Sequence, residues 1–186
     1  MVRVEDLNIS FFHLPKNAGS SIAKWLVDNV DGDEYKDDIR HETPQKVLPL
    51  FDDLGWSFCC VRNPWDRVVS WYNFFRRQNK INCNFDTYMD KIISRQYTPK
   101  YILPIQSQMY MVDSVDHVIK YENLVEDFKL IQEKTNCFEP LVHINKSRKQ
   151  NEVRSYVNYY TKDSYINHVG EVCKREIAYF NYSFGG

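Results

Sequence analysis

Two short stretches of this 186-residue chain carry side chains suited to holding anions. In "FFHLPKNAGSSIAKWL", residues 11–26, an apolar run stops at a Pro-Lys pair, turns through small residues and resumes with helical spacing. A turn of that kind between a buried strand and a helix gathers backbone N–H groups and a positive helix end at one point. Lys16 adds a mobile cation, Gly19 allows close backbone approach, and Ser20 and Ser21 add hydroxyl donors. Together they suit a tetrahedral anion such as phosphate or sulfate. The bland alternative is a plain loop whose serines cap the helix. The nucleotide-triphosphatase loop is excluded by residue order, because that loop ends in Gly-Lys-Ser/Thr and here Lys16 precedes Gly19. In the second stretch, "VRNPWDRVVSWY", Arg62 ends an apolar run and Ser70 lies two helical turns beyond it. Arginine grips phosphate through paired hydrogen bonds, and a serine hydroxyl completes such a cradle. Asp66 and Arg67 are read as ion pairing that holds the helix end. Two anion sockets on neighbouring strand ends imply one ligand with phosphates at both ends of a nucleoside.

The elements that position these residues follow from periodicity. "ISFFH" (9–13), "WSFCCVR" (56–62) and "HVIKY" (117–121) read as strands, the second continuous in apolar character as parallel strands are. Helical spacing predicts a helix over 20–29, with Ile22, Trp25, Leu26 and Val30 recurring. Thr43-Pro44 is a second helix start, with Val47, Leu48, Phe51 and Leu54 as its buried face. Asn63-Pro64 opens a third helix, and Asn84 caps a fourth carrying Phe85, Met89, Ile92 and Ile93. "ENLVEDFKLIQEK" supplies a helix after the third strand, and one last helix is expected over about 161–179. Residues 31–42 read as a polar surface loop, and 139–151 as irregular and basic. Serial strand-to-helix units predict a three-layer α/β domain with a mainly parallel central sheet, as one domain over 1–186. Ligands in such sheets bind beyond the carboxyl ends of the strands, where both unusual turns fall.

Composition narrows the partners. A net charge of −1 argues against nucleic-acid binding by bulk charge. No apolar run reaches the roughly 20 residues needed to span a bilayer, and "MVRVEDLNIS" lacks a signal-peptide core. The expectation is a soluble, cytoplasmic protein without stable membrane insertion. The cysteines, 59, 60, 83, 137 and 173, show no CxxC spacing and read as reduced, mostly buried thiols.

At this point the chain resembles a known family. "FFHLPKNAGSS" is similar to the 5′-phosphosulfate loop of the sulfotransferases, in particular the carbohydrate-type group whose signature is close to HIPKTAGTS. "VRNPWDRVVSWY" is similar to that family's 3′-phosphate motif. The resemblance continues in order through "HETPQKVLPLF", "PIQSQMYM", "IKYENLVEDF", "LVHINKSRKQ" and "YYTKDSYINHVGEVCKREIAYFNYSF", nearly the whole chain. It implies a nucleotide-kinase-like (P-loop-type) fold and the donor 3′-phosphoadenosine 5′-phosphosulfate (PAPS). Carried across, it places Lys16, Asn17, Ala18, Gly19, Ser20 and Ser21 around the 5′-phosphosulfate, and Arg62 with Ser70 on the 3′-phosphate. Asn17 stands where Thr is more usual. Tyr121 falls near the adenine, with a core tyrosine as the alternative. Lys146, Ser147 and Arg148 fall in a loop that closes over the nucleotide, with a solvated basic loop as the alternative.

Sulfuryl transfer to an alcohol requires loss of the acceptor proton, stabilisation of the leaving oxygen and in-line placement. Lys16 is the candidate for charge on the leaving phosphate, with no metal expected. His41, in "RHET", matches a family histidine beside the acceptor and titrates near neutrality, which suits a general base. An exposed loop histidine is the alternative. His13 is read as packing or orienting the first loop. The resemblance implies a hydroxyl acceptor, a carbohydrate; Arg76, Arg77 and Lys80, with Lys146, Arg148, Lys149 and Arg154, would favour an anionic one, with ordinary solvated surface as the alternative. The rival readings are a catalytically silent nucleotide-binding scaffold of the same fold and a nucleotide-dependent kinase.

Overall fold

Three runs read as strands form the parallel part of the sheet, the first two buried on both faces and the third, at the sheet edge, half-buried. In the computed structural model, which describes residues 1–35, 39–96, 105–142 and 155–186, these are β2 (Ile9–Phe12), β4 (Trp56–Val61) and β5 (His117–Lys120). β2 pairs with β4 and β4 with β5. Two shorter strands, β1 (Val2–Val4) and β3 (Asp33–Glu34), extend the sheet to the order β3-β1-β2-β4-β5. β1 runs antiparallel to both of its neighbours, so every other strand points one way. The expected mixed α/β fold, a mainly parallel sheet flanked by helices, is the one found.

Two compact units divide the chain: Met1–Arg62 with Gln108–Asn145, and Asn63–Ser107 with Lys146–Gly186. The first holds the whole sheet. Alternation along the strands sends Ile9, Phe11, Phe58, Cys60 and Ile119 to one face. There they meet Ile22, Trp25 and Leu26 of α1 (Gly19–Val30), and Leu124, Phe128 and Ile131 of the segment after β5. Arg3 and Ser10 point to the opposite face, where both donate to the carbonyl of Leu54, at 3.0 and 2.6 Å. Burying Arg3 requires such partners, since an unpaired buried polar group costs roughly 1–3 kcal/mol.

The second unit is helical. Its α3 (Pro64–Arg77) begins as the sequence indicates: the Asn63 side chain accepts from the Trp65 N–H at 3.2 Å, and Pro64 occupies the first helical position. Asn84 likewise caps α4 (Phe85–Ile93) by accepting from Thr87 N–H at 2.9 Å. Trp65, Val69, Tyr72, Phe85, Tyr88 and Tyr165 are among the residues of its core.

Several expectations are corrected. Residues 31–42 are not only loop, because 33–34 join the sheet edge. The helix α2 (Pro44–Val47) is short and passes into a 3-10 turn, Leu48–Leu50, leaving Leu48 half exposed. Ile93 is also partly exposed. The helix after β5 divides at Phe128 into Leu124–Asp127 and Lys129–Thr135. The last helix divides at Cys173 into Asp163–Val172 and Lys174–Phe180. Both dividing residues are buried. All five cysteines are free, with Cys59, Cys60 and Cys173 buried. Among the described residues, no helix is long and apolar enough to cross a membrane.

Candidate functional site

The parallel register sets the site. Phe12 of β2 lies beside Cys59 of β4, and Val61 of β4 beside Lys120 of β5. The turn after β2, Arg62 after β4 and Tyr121 after β5 therefore sit in a row at the carboxyl ends of adjacent strands. This is the end at which open parallel sheets bind ligands.

The first turn has an unusual backbone. Lys16 and Ala18 both take left-handed conformations, with φ of 71° and 60°. Non-glycine residues adopt this region at some cost, and such residues cluster at ligand-binding turns. Ala18 stands at the cap position of α1 with no side-chain cap, so Ser20 and Ser21 lie inside the first turn and do not serve as the cap. No acidic residue occupies that turn, so the positive end of α1 has no carboxylate of its own there. α3 differs, with Asp66 in its first turn.

Gly19 is needed for a reason the sequence did not reveal. A Cβ there would fall 1.7 Å from Cδ2 of the His13 ring. That ring is buried and meets the His41 ring edge-on, with centroids 4.8 Å apart. His41 Nδ1 lies 2.9 Å from the His13 carbonyl oxygen. A carbonyl only accepts, so Nδ1 carries a proton, and the neutral ring presents the Nε2 lone pair. His41 is itself exposed. Burial of its ring, with Arg40 and the chain's amino terminus adding to the effect, lowers its pKa from the usual histidine range; the His13 bond and Glu42 oppose the shift. The His13 pKa is lowered well below that range, first by burial and then by His41, Arg40, the amino terminus and Lys16. Both rings are therefore neutral at pH 7.

This has a consequence for stability. The unfolded chain takes up protons on both histidines near pH 6.5, while the folded chain resists. The contribution is fully present above pH 6.5 and is lost as pH falls below it, at up to about 1.4 kcal/mol per pH unit from the buried His13, with the exposed His41 adding less. Thermal melts from pH 7.5 to 5 should show a falling Tm, and His13→Gln should flatten that slope. An equal slope in the variant would remove His13 from the account.

Arg62 is buried and committed on several sides. Its Nη1 donates to the Lys16 carbonyl at 3.0 Å, and its guanidinium lies 4.0 Å from the centre of the Tyr121 ring. Tyr121 thus forms a stacking surface for Arg62, a contact that neither reading from the sequence anticipated. Asn17 is wholly buried, with its amide turned inward to donate to Cys60 O at 2.9 Å and Gln108 Oε1 at 2.5 Å. Any contact it makes to an anion in this conformation would come from its backbone. Gln108, which sequence reasoning missed, bonds Arg62 through both backbone groups. A glutamine beside buried Met109 and Met111 was the available signal. Ser70 is buried on α3, in the second unit. Arg67 is buried and donates to the Gln106 carbonyl at 2.8 Å. Lys146, Ser147 and Arg148 lie outside the described residues.

Two concave surfaces complete the picture. In the first unit a groove of about 260 Å³ runs from Ser21 along Lys24, Trp25 and Asp28 to Glu139 and Val142. In the second unit a groove of about 330 Å³ is lined by Tyr72, Arg76, Asn84, Asp86, Asn158 and Tyr159, among others. Among the described residues, no cluster of His, Cys, Asp and Glu is arranged to hold a metal ion.

Comparison with known proteins shows the family and the fold. Residues 1–158 match the Sulfotransferase family. An uncharacterized protein of Archaeoglobus fulgidus is 34% identical over 117 residues, covering 61% of this chain and 92% of the relative. The crystal structure of a sulfotransferase from Alicyclobacillus acidocaldarius superposes with a TM-score of 0.56 over 96% of this chain and 97% of that one. At 13% identity that likeness speaks for the fold alone. The chain belongs to the sulfotransferase family and is a sulfotransferase enzyme.

Proposed function

We propose that the chain moves a sulfuryl group from PAPS to a hydroxyl of a carbohydrate, and that residues 1–186 act together as one catalytic domain. The observation that carries the reading is the bond between Arg62 and the Lys16 carbonyl, which joins two cationic residues at neighbouring strand ends. A donor with phosphate at both ends of its nucleoside matches that pairing. The uncapped, acid-free start of α1 fits the phosphosulfate end.

In this reading the Lys16 ammonium balances the charge that grows on the leaving phosphate. Bound donor supplies the sulfuryl group. Arg62, with Ser70, holds the 3′-phosphate, and the backbone of Asn17, Ala18 and Gly19, with the Ser20 and Ser21 hydroxyls, surrounds the other end. Lys146, Ser147 and Arg148 are assigned to the nucleotide by resemblance. Tyr121 acts through Arg62, by fixing its plane. His41 Nε2 takes the proton of the attacking hydroxyl while Nδ1 stays on the His13 carbonyl, so the ring is held in one orientation.

A carbohydrate acceptor is supported by the groove of the second unit. Its tyrosine rings, amides, guanidinium and carboxylate are the groups that meet sugar C–H faces and hydroxyls. Arg76 there favours an anionic sugar. A soluble, cytoplasmic setting belongs to the same reading, supported by the free cysteines.

Calorimetry with adenosine 3′,5′-bisphosphate, with and without magnesium, tests the donor. Tight binding that ignores magnesium is expected; a preference for ATP with magnesium would make the protein a kinase. Transfer of labelled sulfate to a panel of anionic glycans, neutral glycans, lipids and peptides tests the rest. Label on anionic glycans is expected, and none on any acceptor would leave a silent scaffold.

A further inference from the structure

Gln108, fully buried at the start of the short helix Met109–Val112, holds two parts of the site with one amide. Its Oε1 accepts from Asn17 Nδ2 at 2.5 Å and from the Arg62 N–H at 3.1 Å. Its Nε2 donates to the Arg62 carbonyl at 2.8 Å. Asn17 Nδ2 also donates to Cys60 O at 2.9 Å, one strand residue from Val61. Arg62 Nη1 then returns to the Lys16 carbonyl at 3.0 Å. The circuit closes: loop to glutamine, glutamine to strand end, strand end back to loop.

We propose that Gln108 is a positioning residue that sets the spacing between the Lys16 loop and Arg62. It thereby tunes the site to ligands carrying an anion at each end. The inference deepens the donor reading above and rests on it.

Three physical points carry it. The amide is planar and rigid, and it offers a donor and an acceptor on one edge, which is what the N–H and C=O of a single residue require. All the partners are buried, where a lost bond leaves unsatisfied groups in a medium of low polarity. Asn17 Oδ1 is itself buried without a partner, so the Asn17 amide is not placed here for best satisfaction of its own atoms. Native structures seldom keep such an orphan, and each one calls for an explanation. Here the explanation is the tie from Asn17 to Gln108 and Cys60.

Spacing matters only to a ligand that uses both sockets. Once one end is bound, the second contact is intramolecular, and its worth depends on how well the span is matched. A ligand with one anion feels a single socket and is nearly indifferent to the span.

The full-length chain with Gln108→Met, similar in size but without the amide, is titrated by calorimetry with adenosine 3′,5′-bisphosphate, adenosine 5′-phosphate and adenosine 3′-phosphate. The bisphosphate should lose about tenfold in affinity, equivalent to about 1.4 kcal/mol. Each monophosphate should change by less than about threefold. In turnover, the donor KM should rise while kcat at saturating donor stays within about twofold. Gln108→Glu, which keeps the acceptor oxygens and loses the donor, replaces the methionine variant if near-ultraviolet circular dichroism shows the latter unfolded. Equal losses for all three ligands would reduce Gln108 to a general stabiliser and overturn the proposal, as would an unchanged bisphosphate affinity. Failure of the unaltered chain to bind any of the three would instead overturn the donor reading, and this inference with it.

Discussion

Replacing His41 with alanine is expected to lower kcat by about 10²–10⁴-fold, the usual worth of a positioned general base, while the affinity for adenosine 3′,5′-bisphosphate changes little. The reason lies in the ring's attachment. Nδ1 is fixed on the His13 carbonyl and the pKa is lowered, chiefly by burial, so Nε2 is an available base at neutral pH. The active form is the neutral one, and activity should therefore hold through pH 7 and fall only below the ordinary histidine value near 6.5. A pH–rate profile for the unaltered chain, set beside single-turnover rates for His41→Ala, measures both. A variant that keeps turnover would move the base to another residue, and an acid limb centred above pH 6.5 would contradict the neutral ring.

Lys16→Met is expected to cost about 10²–10³-fold in kcat, the scale found when one donor to a developing oxyanion is removed. Methionine keeps an unbranched side chain one atom shorter and leaves the backbone carbonyl, so the bond from Arg62 to residue 16 should persist. That separates two roles of one residue: the ammonium acts on charge during the reaction, and the carbonyl acts on structure. Bisphosphate affinity should fall less than kcat does. If affinity collapses while kcat at saturating donor is unchanged, Lys16 serves ground-state binding alone.

Both residues stand out as candidates in the sequence, Lys16 by its place beside a strong local signal and His41 by resemblance as well as by place. Lys16 follows a buried strand and precedes a helix, and His41 stands just before a Thr-Pro helix start. The strands β2, β4 and β5 were legible for a similar reason, as short apolar runs followed by turn residues. Asn63 and Asn84 cap their helices through interactions two and three residues long, which is the range over which sequence speaks clearly.

What was not legible depends on distance along the chain. β1 and β3 are three and two residues long and exist through pairing with each other and with β2. Gln108 acquires its meaning from residues 46 and 91 positions away. Asn17 stands within a ligand-loop pattern yet turns its amide inward, and nothing local marks the difference. Gly19 answers to the ring of His13, six positions earlier, as much as to a ligand. The breaks at Phe128 and Cys173 fall at buried side chains, and helical periodicity runs through them unchanged.

The adjacent thiols of Cys59 and Cys60, sealed in β4 between β2 and β5, give the protein an internal clock. Burial raises both pKa values and hides both sulfurs, so an alkylating reagent meets them only after the sheet has parted. The rate of their modification thus reports how often the strand carrying Arg62 lets go, and a ligand gripping that strand's end would slow the clock.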